Sequence, residues 1–207
     1  MRPRPARLLP PLLVLTDRAL AAPGHLVDAA RSCVDGGARA IVLREKDLTR
    51  AERVELAAAL RGILDPVGGR LLIASDPTIA ADGVHLAAGD PFPDRRPGIV
   101  GRSCHDAAEV QSAAAEGCDY VTLSPIFTTS SKPGYGPALG TATLRAIAQA
   151  TTVPIYALGG IVTTESAQHC LDAGAAGVAV MGLAMREPTN LPRLDPTRTT
   201  STRAVGA

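Results

Sequence analysis

The amino-acid sequence predicts a single α/β domain, a (β/α)8 barrel whose last helix is reduced or missing. Eight short apolar runs alternate with segments in which apolar residues recur at helical spacing, and this alternation predicts a parallel sheet. The same small-residue junction leads from helix into strand three times, as DGGARAIVL at 35–43, EGCDYVTL at 116–123 and DAGAAGVAV at 172–180. An open doubly wound sheet is the alternative, but no G-x-G-x-x-G motif follows the first strand.

Each apolar run is too short for a buried helix and suits a strand that is buried on both faces. The predicted strands cover 12–16, 38–43, 70–74, 83–87, 99–103, 120–124, 154–158 and 177–181. The predicted helices cover 25–34, 50–64, 107–116, 141–150 and 164–173. Thr49 and Asp106 precede the second and third of these helices, where their side chains can cap the first turn. Only a short helical turn is expected between strands three and four, and the proline-rich stretch 91–97 is expected to be irregular.

The two ends of the chain lack this alternation. We expect an N-terminal extension at 1–11, the barrel at 12–186 and a disordered tail at 187–207, where three prolines interrupt a segment of low apolar content. A complete barrel needs a last helix to cover strands eight and one. Either that helix is rudimentary here, or a second subunit covers the gap and the protein is a homo-oligomer.

The composition excludes several classes of partner. Lysines and arginines number 21 against 20 aspartates and glutamates, a formal net charge of +1, which argues against binding to nucleic acid or a membrane surface. Aromatic residues make up 2% of the chain, too few for a base-stacking surface. No apolar run is long enough to span a bilayer, and prolines 10 and 11 break the early one, so we expect no signal peptide.

The cysteines indicate the compartment. Cys33, Cys104, Cys118 and Cys170 lie far apart and form no C-x-x-C pair. This spacing is typical neither of a disulfide framework nor of a zinc site. We expect four small buried residues in a reducing compartment, the cytoplasm.

The stretch SPIFTTSSKPGYGPALG at 124–140 carries the clearest functional signal. It follows an apolar run with four hydroxyl residues, 128–131, then Lys132 and a segment rich in proline and glycine. Hydroxyls, free backbone N–H groups and a lysine can surround the oxygens of a phosphorylated ligand. The alternative is a surface loop rich in turn-forming residues.

Polar residues also follow the other predicted strands, and in such barrels the chemistry lies at the carboxyl ends of the strands. Asp76 and Asp90 end neighbouring strands, and two carboxylates beside a ligand phosphate suit Mg²⁺; the alternatives are a helix cap and a turn residue. His85 and His105 could act as general bases, although a lone strand histidine is more often structural. The remaining positions at this rim are Arg44, Lys46, Ser75, Ser103, Thr129, Ser131, Lys132, Gly159, Gly160, Met181 and Gly182. Gly159-Gly160 and Gly182 match the usual phosphate site of these barrels, or else simply form tight turns.

Several motifs together resemble the thiamine phosphate synthase family and the related thiazole tautomerase of the same superfamily. They are LREKD at 43–47, SD at 75–76, GVHLAAGD at 83–90, GRSCH at 101–105, SPIFTTSSKPGYG at 124–136, ALGGI at 157–161 and AGAAGVAVMG at 173–182. The resemblance implies a TIM-barrel transferase that joins a pyrimidine diphosphate to thiazole phosphate, with Mg²⁺ held by Asp76 and Asp90. By the same resemblance the catalytic residues are Arg44, Lys46, Ser103 and Lys132. The implied substrate-binding residues are Val42, Leu43, Arg44, Glu45, Lys46, Ser75, Ser103, Thr129, Ser130, Ser131, Lys132, Gly159, Gly160, Met181 and Gly182.

Three positions depart from the family pattern. Val42 stands where the family has glutamine, Ser75 where it has asparagine, and Gly182 where it has serine. A thiazole tautomerase is the first alternative, but it needs a histidine at the end of strand six, where this chain has Ser124-Pro125. A non-catalytic barrel that binds phosphorylated ligands is the second alternative.

Overall fold

The structure is a computed structural model that describes residues 9–128 and 137–194, with side chains described as far as 191. Eight parallel strands close into a barrel in which each strand pairs with its neighbours in the chain and β8 pairs with β1. The strands are β1 (Leu12–Leu15), β2 (Ala40–Leu43), β3 (Arg70–Ala74), β4 (Gly83–Leu86), β5 (Ile99–Cys104), β6 (Tyr120–Leu123), β7 (Ile155–Leu158) and β8 (Gly177–Val180). The predicted fold is confirmed.

The helices form an outer layer around this barrel. They are α1 (Leu26–Asp35), α2 (Arg50–Leu64), α3 (Ala107–Glu116), α4 (Gly140–Ala150), α5 (Thr164–Asp172) and α6 (Gly182–Arg186), with 3₁₀ turns at Asp65–Val67 and Pro188–Leu194. Both predicted caps are confirmed. Thr49 and Glu52 form a reciprocal capping box at the start of α2, and Asp106 accepts a hydrogen bond of 2.8 Å from the Glu109 amide at the start of α3.

The helical layer is incomplete beside β3 and β4. The described segments 75–82 and 87–98, which follow these two strands, contain turns and irregular chain but no helix. The outward side chains of β4 remain buried, because Ile79 and Phe92 from these segments pack against the outer core. The carboxyl ends of β3 and β4 are therefore supported by loops instead of helices.

The apolar residues divide into two cores, as expected when strands are buried on both faces. The outer core lies between strands and helices and includes Leu43, Leu60 and Ile73. The smaller inner core fills the barrel and includes Leu13, Val42, Leu72, Tyr120 and Tyr156. The glycines of two strands make room for the tyrosines: a Cβ on Gly101 would lie 2.1 Å from Cζ of Tyr120.

The C-terminal segment closes the barrel beside β8 and β1. Helix α6 and the following 3₁₀ turn pack against α1, where the Cys33 thiol donates to the Ala184 carbonyl and Leu191 is fully buried. Residues 188–194 form this 3₁₀ turn, in which Leu191 is an apolar anchor, while the predicted tail at 187–207 stays a prediction. The last helix is rudimentary, the first of the two alternatives. Residues 1–8 and 195–207 lie outside the described part of the chain.

All four cysteines are free and buried, as expected. Burial raises the pKa of Cys33 and of Cys104 to about 12. In the described ranges 9–128 and 137–194, no helix is both long and apolar enough to cross a membrane.

Candidate active site

A cavity of about 340 Å³ opens at the carboxyl ends of the strands. The described residues that line it are Leu15, Arg44, Lys46, Ala74, His85, Ala87, Ser103, His105, Ser124, Pro125, Thr128, residues 158–162, residues 179–183 and Arg186. Within this set, every side chain with a fixed charge is a cation: Arg44, Lys46 and Arg186. The wall therefore favours an anionic ligand, although the whole chain has a net charge of only +1.

The end of β2 supplies two of these cations through strand alternation. Arg44 is held at its backbone, whose N–H donates to the Thr16 hydroxyl at 2.9 Å, and its Nη1 lies 3.7 Å from Asp17 Oδ2. The intervening Glu45 is buried, and both of its carboxylate oxygens accept from the Arg18 amide. Because successive side chains alternate, Arg44 and Lys46 line the cavity while Glu45 fixes the neighbouring loop.

Among the described residues, four of the predicted substrate contacts are absent from the cavity wall: Ser75, which bonds to Asp90, and three residues at the end of β2. Leu43 is buried in the outer core and Val42 in the inner core below the cavity. Glu45 bonds to the loop after β1. A ligand in the cavity would thus meet Arg44 and Lys46 before it met these three side chains.

A buried hydrogen-bond chain orients Ser103 at the cavity wall. His85 Nδ1 lies 2.8 Å from the Tyr120 hydroxyl, and its Nε2 lies 3.0 Å from Ser103 Oγ. Burial lowers the pKa of His85 to about 3, with the nearby charges of Lys46 and Arg44 adding to the effect. The ring is therefore neutral at physiological pH, and one ring nitrogen donates while the other accepts.

We assign the tautomer from the tyrosine. Burial raises the pKa of Tyr120 far above its usual value, so its phenol stays protonated; among the described residues His85 Nδ1 is the acceptor within its reach, so the buried hydroxyl donates there. His85 Nε2–H then donates to Ser103 Oγ, which leaves the serine hydrogen available to a ligand in the cavity. A neutral ring with this low pKa is a poor general base, so His85 has the structural role that the sequence favours.

The second histidine at the rim has a different partner. His105 Nδ1 lies 3.0 Å from Glu109 Oε2, and the His105 amide donates to the same oxygen at 2.6 Å. This carboxylate fixes the imidazole at the start of α3, with the ring at the cavity wall.

Asp90 lies four residues after the end of β4, beside the cavity wall formed by Ala87. Its Oδ2 accepts from the Ser75 hydroxyl at 2.5 Å and from the Ala87 amide at 2.7 Å. Burial alone would raise the pKa of Asp90, but these hydrogen bonds and the charges of Lys46 and Arg102 outweigh it, and the pKa is lowered. Asp90 is therefore ionised at neutral pH, and both described hydrogen bonds use the same oxygen.

Asp76 follows β3 at the same rim. Its Oδ1 accepts from both the amide and the hydroxyl of Thr78, and its Oδ2 lies 3.6 Å from Arg53 Nη1. Burial opposes ionisation, but the Thr78 hydrogen bonds and the charge of Arg53 prevail, so the pKa of Asp76 is lowered. Neither carboxylate is a wall residue of the cavity, which is bounded nearby by Ala74 and Ala87.

Ser75 joins the two carboxylates, because it precedes Asp76 in the chain and bonds to Asp90. Its φ of 58° lies in the left-handed region, where asparagine is far better tolerated than serine. The backbone at this position thus accounts for the asparagine of the family pattern. Serine retains the contact with Asp90 and carries the backbone strain.

The two glycines after β7 allow a close approach of the β6 loop. Gly159 and Gly160 have φ of 99° and 68°, and a Cβ on Gly160 would lie 2.5 Å from the Thr128 carbonyl oxygen. This packing requires glycine whether or not a phosphate binds there. Met181 and Gly182 complete the wall at the end of β8.

The four loop residues Thr129, Ser130, Ser131 and Lys132 lie outside the described residues. The described residue before them, Thr128, lines the cavity. Their predicted contacts stay predictions.

The sequence did not single out three arginines that the structure brings to this region. Arg186 lines the cavity from α6, and Arg53 and Arg102 are buried below the two carboxylates. Arg102 had a signal in the sequence: it interrupts the apolar run of β5, where a buried outward position is expected to be apolar. Arg53 had none, since an arginine within a charged amphipathic helix is ordinary.

The sequence profile of a family described as thiamine monophosphate synthase matches residues 12–183. A thiamine-phosphate synthase of Methanoculleus marisnigri is 40% identical over 186 residues, 85% of this chain and 88% of that protein. A putative thiamine-phosphate synthase of Geobacter sulfurreducens is 37% identical over 187 residues, 86% of this chain and 87% of that protein.

Solved structures agree with the sequence comparisons. A thiamine phosphate pyrophosphorylase from Pyrococcus furiosus superposes with a TM-score of 0.76 at 28% identity, covering 89% of this chain and 92% of that chain. A geranylgeranylglyceryl phosphate synthase from Thermoplasma acidophilum superposes with a TM-score of 0.65 at 16% identity, over 92% of each chain. The second likeness concerns the fold alone.

Proposed function

This chain belongs to the thiamine monophosphate synthase family, and from that premise we propose that it joins 4-amino-2-methyl-5-hydroxymethylpyrimidine diphosphate to thiazole phosphate. The products are thiamine phosphate and pyrophosphate. The bond between the pyrimidine methylene carbon and the diphosphate oxygen breaks, and pyrophosphate leaves with the electron pair. The thiazole nitrogen then forms a bond to that methylene carbon. The reaction is a dissociative substitution, so it needs charge stabilisation and positioning more than a strong base.

The observation that carries this proposal is the charge of the cavity. Arg44 and Lys46 reach the cavity from one strand end, while the two ionised carboxylates lie beside it at the ends of β3 and β4. Cations on the cavity wall with carboxylates beside it suit a leaving group that has several negative charges and binds a metal ion. A neutral substrate would gain little from either feature.

In this proposal Arg44, Lys46 and Lys132 bind the diphosphate. The Ser103 hydroxyl donates to it, because His85 occupies the serine oxygen as a donor and leaves the serine hydrogen to the ligand. These groups hold the leaving group in place while its charge increases. Fixed donors of this kind need no reorganisation at the moment of bond breaking.

The carboxylates have the chemistry that Mg²⁺ requires. Asp76 and Asp90 both have lowered pKa values, so both are anionic and can offer oxygen ligands to a metal. Ser75, the residue before Asp76, donates a hydrogen bond to Asp90 and so connects the two loops. In the described part of the chain, no cluster of three or more His, Cys, Asp or Glu residues could hold a metal alone. Two protein carboxylates completed by diphosphate oxygens and water are the usual pattern for Mg²⁺. The chemistry a bound Mg²⁺ supplies here is neutralisation of the charge on the departing pyrophosphate.

The thiazole phosphate is assigned to the opposite side of the cavity, near Gly160, Met181 and Gly182. Thr129 and Ser131 would supply hydroxyl donors, and the glycine backbone would supply N–H groups. Gly182 lacks the hydroxyl of the family's serine, and Arg186 on the same wall supplies a cation there. Loss of the family's glutamine at Val42 removes one polar group from the inner core below the cavity.

The compartment and the assembly follow from the same features. Four buried free cysteines fit a reducing environment, so a cytoplasmic location is part of the proposal. Helix α6 and the following 3₁₀ turn pack against α1 beside β8 and β1, so no second subunit is needed to cover that gap, and a homo-oligomer stays a proposal.

The test uses purified protein with both substrates, with and without Mg²⁺. Thiamine phosphate should form only with the metal, and no product in either condition from folded protein would refute the proposal. Asp90→Asn should lower turnover at least about tenfold, as losses at metal sites usually do, while thermal stability changes little. Asp94→Asn, at an exposed position in the same irregular segment, is the matched control.

The two alternatives give different results in the same assay. A thiazole tautomerase would convert its substrate without the pyrimidine diphosphate, and a non-catalytic barrel would bind phosphorylated ligands without any product. Lys132→Ala should raise the KM for the pyrimidine diphosphate and leave the KM for thiazole phosphate nearly unchanged. Unaltered kinetics would remove Lys132 from the site.

A further inference from the structure

Two buried arginines lie directly below the strand ends that carry Asp76 and Asp90. We infer that Arg102 at the loop after β4, and Arg53 at the loop after β3, are positioning residues that hold the metal-binding loops in place of the helices missing after these two strands. The inference rests on the proposed function for its metal, and its geometry stands independently of activity.

Arg102 occupies a position that normally holds an apolar side chain. It lies on β5 between Val100 and Cys104, whose side chains are both fully buried in the outer core. The Arg102 side chain is only 5% exposed. A buried guanidinium is costly unless its hydrogens find acceptors, so its presence in this layer calls for a specific use.

The acceptors of Arg102 are the backbone of the Asp90 loop. Its Nη1 lies 3.0, 2.9 and 2.8 Å from the carbonyl oxygens of Ala87, Ala88 and Asp90, which share its two hydrogens. Three carbonyls within four residues thus converge on one nitrogen. The geometry fixes the path of the chain that carries Asp90 and the Ala87 amide that bonds to its carboxylate.

The charge of Arg102 is balanced on its other side. Its Nη2 lies 2.8 Å from Oε2 of Glu116, at the end of α3, as an ion pair and not as a well-aligned hydrogen bond. The guanidinium therefore connects the Asp90 loop to α3, the next helix along the chain. Its positive charge also contributes to the lowered pKa of Asp90.

Arg53 makes the equivalent contacts at the end of β3. It lies on α2 and is buried, its Nη2 donates to the Ala74 carbonyl at 2.6 Å, and its Nη1 lies 3.6 Å from Asp76 Oδ2. Each of the two strands without a following helix thus has its carboxyl end bonded to an arginine from a neighbouring element. Ser75 then links the two loops through Asp90.

The first test measures backbone order without any substrate. In Arg102→Met, which keeps the apolar length of the side chain, amide hydrogen exchange in a peptide spanning 84–91 should accelerate about tenfold or more, because a charge-assisted contact to that loop is lost. Exchange in the core strand β2 should change far less. Equal acceleration of both peptides, or no acceleration, would overturn the inference.

Arg96→Met is the matched control. Arg96 also joins a carbonyl and a carboxylate, those of Gly117 and Asp119, but at the junction that leads into β6, the opposite end of the barrel from the cavity. The Arg96→Met variant should show unchanged amide hydrogen exchange in the peptide 84–91. Arg102→Lys, which keeps the charge but not the fork of nitrogens, should fall between wild type and Arg102→Met, and it serves if the methionine variant does not fold.

The second test measures the metal directly. With inorganic pyrophosphate as the probe, calorimetry should give a Mg²⁺ dissociation constant about tenfold higher in Arg102→Met than in wild type or Arg96→Met. An unchanged constant would overturn the link to the metal. If wild type made no thiamine phosphate, the proposed synthase activity would fail, whereas the exchange result would still decide the role of Arg102.

Discussion

His85 gives the fold a pH dependence whose size follows from its burial. The ring is 3% exposed, and its pKa is lowered to about 3 because burial penalises the imidazolium and because Lys46 and Arg44 repel it. In the unfolded chain the pKa of a histidine is about 6.5. Since the folded pKa is the lower one, the stability from the neutral ring is complete above about pH 6.5 and is lost as the pH falls towards 3.

The magnitude follows from proton linkage. Between the two pKa values, each pH unit removes about 1.4 kcal/mol from the free energy of unfolding, because the unfolded chain binds a proton that the folded chain does not. Because the unfolded histidine is only partly protonated near its own pKa, a change from about pH 7.5 to about pH 5 costs about 2 kcal/mol. Carboxylates with lowered pKa values add to the loss mainly below about pH 5.

Urea unfolding of wild type, His85→Gln and His25→Gln at these two pH values isolates this contribution. Glutamine cannot titrate, so the difference between the two pH values should shrink by about 2 kcal/mol in His85→Gln. His25 has an exposed side chain, paired with Asp28 at 2.9 Å, and its replacement should leave most of the difference in place. The reasoning is refuted if wild type and His85→Gln lose the same stability between the two pH values.

Two backbone positions allow further predictions, both measured by urea unfolding at neutral pH. Ser75→Asn should raise the free energy of unfolding by about 0.5 kcal/mol, because asparagine tolerates the φ of 58° better than serine does; a loss would contradict the strain assigned to this residue. Gly160→Ala should lower it by about 2 kcal/mol or more, because its Cβ would lie 2.5 Å from the Thr128 carbonyl oxygen. Gly62→Ala is the control: apart from its chain neighbours and its own helix backbone, no described atom lies within 4 Å of the added Cβ, and alanine in helix α2 should be stabilising.

Strand positions and helix caps could be predicted because local chemistry decides them. Runs such as 71–74 are apolar on both faces, and a parallel strand enclosed between a filled barrel and a helical layer requires that pattern. Thr49 and Asp106 act through hydrogen bonds within their own first turns. The sequence also predicted that Arg44, Lys46 and Ser103 lie at one cavity, since the carboxyl ends of parallel strands meet at one rim.

Side-chain direction at the strand ends was harder to predict. Leu43 and Glu45 belong to the same motif as Arg44 and Lys46, yet the first packs in the outer core and the second bonds to Arg18. Alternation along the strand separates the two pairs, but which pair enters the barrel depends on the register with β1 and β3. The structure supplies this register through pairs such as Leu15–Val42 and Leu43–Ile73.

The contacts of the arginines below the carboxylates could not be predicted, and the reason is physical. Backbone carbonyls buried at a strand end require donors, and the four residues 87–90 offer few of their own. A guanidinium with five N–H groups can meet several such acceptors at once, but only the folded arrangement shows that those of Ala87, Ala88 and Asp90 converge. Because a buried cation contributes little net stability even when paired, an apolar residue at position 102 would serve the outer core equally well. What an apolar residue would not provide is a fixed path for the loop that carries Asp90, so we expect the role of Arg102 to be seen in metal binding more than in stability.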